Sequence, residues 1–201
     1  MADVTAFKDW AVMCDAMGSG RQSVILRKGG IAEGRESFQF KHREFFLYPT
    51  AYHEQVSRLR PGLAEGLRAA PAARDGSVEI RELFQLDWHA MVTRWDAARA
   101  LEPFHLYREE VVRERFDYDA SPGLQVAFGR GFRLATPWRF PDEARFGGCR
   151  SWIKLPSDAP APTSLIPALA DDVHTTLAVR LEAWAARFDI SVARFTTPIH
   201  S

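Results

Sequence analysis

Short apolar runs of strand character, each ended by glycine or proline, constrain this chain more than any other feature. Ser23-Val24-Ile25-Leu26-Arg27 is rich in β-branched residues and stops at Gly29-Gly30. Phe38 and Phe40 alternate around Gln39, and Glu44-Phe45-Phe46-Leu47-Tyr48 ends at Pro49. Three such runs separated by polar turns predict an antiparallel meander. Further along, Val78 and Ile80, with Glu82, share one face of a strand, and Trp88 to Val92 can extend it. Leu124 to Phe128 and Phe132 to Leu134 read as one long strand with glycines at a bulge. Arg150 to Leu155 is the last strand in the sequence.

Helical spacing appears elsewhere. Phe7, Trp10, Ala11, Cys14 and Met17 predict a helix over 5–17, stopped by Gly18-Ser19-Gly20. Residues 52–69 read as helix broken at Pro61, and 96–102 and 107–115 as short helices. After a proline-studded linker from Pro156 to Pro162, Thr163 is expected to cap an amphipathic helix. Its apolar face carries Leu165, Ile166, Leu169, Val173, Leu177, Leu181 and Trp184. No βαβ alternation occurs. The expectation is an α+β fold: a mostly antiparallel sheet that could close into a barrel, flanking helices and a C-terminal amphipathic helix. One domain spans 1–185, with a hinge near 70–76, and residues 186–201 form a tail.

A chain of 201 residues buries roughly 70% of its unfolded surface, enough for a core without staples. Two cysteines, Cys14 and Cys149, make no disulfide framework and read as reduced, buried small residues. The N-terminus has no basic leader, and no apolar run approaches the ~20 residues of a membrane span. The reading is a cytoplasmic protein with no membrane partner. Net charge is zero, so no global field holds a polyanion, and nucleic-acid binding must rest on a local patch.

Such a patch exists. Between Arg21 and Arg43 six basic residues (Arg21, Arg27, Lys28, Arg35, Lys41, Arg43) face two acidic ones, Glu33 and Glu36. Arg27-Lys28 beside Gly29-Gly30 could set backbone amides and cations around a phosphate, with Lys41 and Arg43 adding charge. The plainer alternative is a hairpin with a solvated rim. No GxxxxGK[ST] or GxGxxG occurs, so no nucleotide loop and no cofactor is expected. His42 and His53 flank the Phe45–Pro49 run, with Glu33 nearby. The trio is a candidate for general acid–base work. Its spacing matches no zinc pattern, and no metal site is expected. A second cluster, Phe146-Gly147-Gly148-Cys149-Arg150-Ser151-Trp152, could lower the Cys149 thiol pKa beside Arg150 or present Ser151 as a nucleophile. Its plainer reading is a glycine-eased turn with Cys149 and Trp152 packed inward.

Taken together, Trp10-Ala11-Val12, the Leu-Arg-Lys-Gly-Gly-Ile-x-Glu run at 26–33, the Phe-x-Leu-Tyr-Pro-Thr-x-x-His run at 45–53 and Gly-Gly-Cys-Arg-Ser-Trp-Ile at 147–153 resemble a bacterial family of unknown function numbered 1802. The resemblance covers roughly residues 5–185. It departs at Arg150, where Lys is expected, and in the tail after 185. The family carries no established activity. Its association with restriction-endonuclease catalytic domains implies a restriction or defence context, although no convincing PD…(D/E)xK motif occurs here. Three functions follow. The first is a nucleic-acid-binding accessory domain using Arg27, Lys28, Lys41 and Arg43. The second is a phosphate-ester hydrolase using Glu33, His42 and His53, and the third a protein-interaction module built on the last helix, its partner unknown.

Overall fold

The computed structural model describes residues 4–28, 38–69, 75–118, 121–148, 150–158 and 164–195. It is a mixed α+β fold with eight strands in one sheet and four α-helices among the described residues. The strands are β1 (Thr5–Trp10), β2 (Val24–Arg27), β3 (Glu44–Thr50), β4 (Ser77–Val92), β5 (Leu124–Pro141), β6 (Trp152–Lys154), β7 (Leu165–Pro167) and β8 (Ala193–Arg194). The helices are α1 (Ala11–Gly18), α2 (Trp95–Arg99), α3 (Glu109–Phe116) and α4 (Asp171–Arg187). The main sheet runs β2-β5-β4-β3-β1-β6, with β7 on β5 and β8 on β4. It is open, with β2 and β6 at its ends, and does not close into the barrel that the sequence allowed.

All pairings are antiparallel except β1 with β3. The frame is the β4–β5 pair, in register from Ser77↔Pro141 to Val92↔Leu124. Its register slips twice: between Leu86 and Trp88 the extra residue is Asp87 on β4 rather than a glycine on β5, and between Ile80 and Glu82 residues 134–137 of β5 stand against Arg81 alone. The glycines of β5 serve close approach instead. A Cβ at Gly129 would lie 2.1 Å from the Gln85 carbonyl oxygen, and one at Gly131 2.0 Å from that of Met17.

Side chains alternate across the sheet, and both faces are covered. Phe7, Phe45 and Leu47 join the core packed by the four helices, while Ala6, Phe46 and Tyr48 join a second cluster with Ile80, Trp138 and Phe146.

Four expectations need correction. Residues 5–10 are strand, not the first turns of a helix, because β1 lies between β3 and β6 and its pairing overrides the helical spacing of Phe7 and Trp10. Residues 53–58 and 61–66 are turns rather than helix: Gly62 and Gly66 have φ of +79° and +73°, and the segment is tied to the fold by a Leu59–Tyr107 bridge. The three early runs do not form a meander with one another, since β2 pairs with β5 and Phe38 and Phe40 are buried outside any strand; the meander of the sheet is β3-β4-β5 instead. Leu165 and Ile166 belong to β7, so the last helix starts at Asp171 behind Ala170. Thr163 lies outside the described residues. Within α4, Leu181, Trp184 and Ala185 are buried, whereas Val173 and Val179 are exposed. β8 lies within the segment that was set apart as a tail. None of the four helices is long and apolar enough to cross a membrane.

Candidate functional site

Two sequence clusters meet at the β1 edge of the sheet. Arg27 ends β2, and its Nη2 donates to Ser151 Oγ at 3.2 Å, with the guanidinium 5.2 Å from the Phe7 ring centre. Ser151 is held in place from β1, since the Lys8 amide donates to its carbonyl at 2.9 Å. The same Lys8 reaches back with Nζ to the carbonyls of Phe146 at 2.7 Å and Gly148 at 2.8 Å. A buried ammonium thereby fixes the turn that feeds β6. From α3, Arg115 donates to the Leu26 carbonyl at 2.8 Å and lies over the rings of Tyr107 and Trp10, at 4.2 and 5.1 Å. Burial opposes the charge of Arg115, but Tyr107 and Asp9 hold it firmly cationic. Burial pushes the Tyr107 hydroxyl up to about 12, against the pull of Arg115.

Beside this junction a cleft of about 720 Å³ is lined by Thr5, His42, Arg145, Arg150, Trp152, Ile153 and Lys154. Three cations and no carboxylate stand among these residues, although Arg145 is paired with Glu143 at 2.8 Å. Trp152 is the cleft's aromatic wall. Its ring packs on Phe7 and Phe45, both at 5.0 Å, and its Nε1 donates to the Gln39 carbonyl at 3.3 Å. His42 meets the indole edge-on at 5.0 Å. Burial, and then the neighbouring Lys41, lower its pKa from the ordinary 6.5, so the imidazole is neutral at pH 7.

The structure joins Arg27 with Ser151, and His42 with Arg150 and Trp152. Lys28 turns elsewhere, donating to the Ser121 carbonyl. Lys41 is exposed and Arg43 half-buried beside His42, and the Arg43 carbonyl accepts from Leu86 at 2.7 Å. His53 is not part of this site. It stands on the turn beyond β3, 85% exposed, 3.6 Å from Glu54 and against the Tyr52 ring. The seven residues of β3 separate it from His42, roughly 20 Å of extended chain. The two histidines expected to act together with Glu33 therefore stand at opposite ends of one strand. Glu33, Gly29, Gly30 and Cys149 lie outside the described residues. No three His, Cys, Asp or Glu side chains gather to hold a metal among the described residues.

Sequence reasoning missed Lys8, Asp9, Tyr107, Arg115, Arg145 and Lys154. Lys8 and Asp9 fall between the apolar positions of the helix expected over 5–17, and Arg115 ends the short helix expected over 107–115. Only the β1 pairing and the packing of α3 turn them inward.

A family model described as a domain of unknown function, DUF1802, matches residues 6–180. The chain belongs to this family. Both halves of the junction, Arg27 and Ser151, therefore fall within the matched DUF1802 region. No curated protein matches the chain. Among solved structures, the crystal structure of a serine-to-alanine mutant of the ZmASCH protein from Zymomonas mobilis is similar at a TM-score of 0.44 and 13% identity, over 89% of this chain and 96% of that one.

Proposed function

We propose that this DUF1802 domain binds nucleic acid through the cleft at β6. The observation that carries the reading is its lining: Arg145, Arg150 and Lys154 around the Trp152 indole, with no carboxylate among the described lining residues. Cations meet backbone phosphates, and an aromatic wall offers a surface to bases. The proposed phosphate-binding residues shift accordingly from Lys28, which is turned toward Ser121, to Arg150 of the second cluster with Arg145 and Lys154 on either side of it in sequence. Arg27 acts from behind through Ser151. A neutral His42 beside Trp152 adds ring surface rather than charge at pH 7.

The test is fluorescence anisotropy with single-stranded RNA and DNA 12-mers over a range of salt. Each phosphate contact on a single strand contributes a log–log slope of about −0.7, so three cations predict a slope near −2. The double variant Arg150→Glu/Lys154→Glu should lose at least tenfold in affinity and flatten the slope, with its thermal unfolding retained. Binding that ignores salt, or no binding to either polymer, removes the reading.

A further inference from the structure

Among the described strands β6 is terminal in the sheet, paired on one side with β1. The Lys8 amide donates to the Ser151 carbonyl at 2.9 Å and the Leu155 amide to the Val4 carbonyl at 2.8 Å, on either side of the Ala6↔Ile153 pair. In an antiparallel ladder hydrogen-bonded and non-hydrogen-bonded pairs alternate. Lys8–Ser151, Ala6–Ile153 and Val4–Leu155 are therefore the bonded pairs, and Phe7↔Trp152 is a non-bonded one. The main-chain N–H and C=O of Trp152 consequently point away from β1. Trp152 and Lys154 belong to one face of the strand and Ile153 to the other, yet all three line the cavity, so it runs along the outer edge of β6.

An edge residue of this kind offers a donor and an acceptor side by side in one plane. That is the complement of a nucleobase, whose pairing edge carries an adjacent donor and acceptor. We infer that the outer edge of β6 holds the pairing edge of one unpaired base through the main-chain N–H and C=O of Trp152. Lys154, Arg150 and Arg145 then face the flanking phosphates. The inference rests on the nucleic-acid reading above and narrows it to single strands. In a duplex the pairing edge is already occupied, whereas single-stranded segments can splay a base outward. Reading through the main chain also explains how a cleft with no carboxylate or side-chain amide among its described lining residues could still tell a base from an abasic sugar.

Anisotropy at one fixed salt, with four probes, tests this: a uridine 12-mer, the same strand annealed to its complement, a strand of abasic residues, and a strand of N3-methyluridine. The methylated strand keeps charge and stacking surface but has lost its pairing-edge donor. The duplex, the abasic strand and the methylated strand should each bind on the order of tenfold more weakly than the plain strand. Amide hydrogen exchange should show new protection at the Trp152 N–H on binding the plain strand only, while the Ile153 N–H, already bonded to Ala6, stays unchanged. Measurable but equal affinity for all four probes would overturn the edge inference and leave the nucleic-acid reading standing. Failure of every probe to bind would overturn both.

Discussion

Arg27 Nη2 and Ser151 Oγ lie 3.2 Å apart across 124 residues of chain. That contact ties β2 at one end of the sheet order to the segment entering β6 at the other. The sheet therefore curls far enough to bring its end strands within side-chain reach without pairing them. Arg27 also covers the buried Phe7 ring, so its guanidinium serves as a lid on the core as well as a donor.

A double-mutant cycle measures this link. Ser151→Ala should cost about 1 kcal/mol, and Arg27→Met somewhat more through lost ring contact. Their coupling in denaturant unfolding should be about 0.5–1 kcal/mol, because removal of either partner already breaks the bond. Additive losses would show that the two residues act independently.

Arg68 sits over two buried carboxylates. Its Nη2 donates to Glu82 Oε1 at 2.7 Å and lies 3.4 Å from Asp15 Oδ1. Burial raises the Glu82 pKa above its ordinary 4.5, and Arg68 opposes the rise. Breaking a fully buried pair costs 3–5 kcal/mol. Arg68 is 26% exposed, so water screens part of this, and Arg68→Ala should cost about 2–3 kcal/mol at pH 7. The loss should shrink toward pH 4, where Glu82 is protonated and needs no cation. A loss that does not change with pH in urea unfolding would count against this account.

His105 sets the acid limb of stability. It is 3% exposed, and burial, then Arg60 and Arg115, lower its pKa from 6.5 to about 3. Its folded pKa is depressed, so below pH 6.5 the unfolded chain takes up a proton that the native one refuses. Stability contributed above pH 6.5 is thus lost as pH falls, at about 1.4 kcal/mol per pH unit, down to about 3. His105→Leu should remove this slope and, between pH 6.5 and 4, gain roughly 3 kcal/mol relative to the parent chain. Parallel stability–pH curves for the two proteins would contradict it.

The strands from Val24, Glu44, Ser77, Leu124 and Trp152 were legible because their apolar runs carry the signal in adjacent residues. β1 was not. Its Phe7 and Trp10 continue the helical spacing of Cys14 in α1, and only the flanking β3 and β6 make residues 5–10 a strand. The 52–69 segment failed for the opposite reason: helical spacing was present, but Gly62 and Gly66 at positive φ and the Leu59–Tyr107 bridge shape the chain into turns.

The site divides the same way. The sequence marked Arg27, His42, Arg150, Ser151 and Trp152 as chemically rich, because composition and short spacing are properties of neighbouring residues. It also established the family, since family motifs are local. Which of these residues meet was decided by the long β4–β5 pair and the open sheet built on it, through contacts such as Arg27–Ser151, 124 residues apart. Tertiary pairing set His53 apart at the far end of β3, brought Arg115 in from α3, and turned the main-chain edge of Trp152 away from β1. Strand partners and register lie beyond any local window, because the residues that choose them are distant in the chain and adjacent only once it has folded.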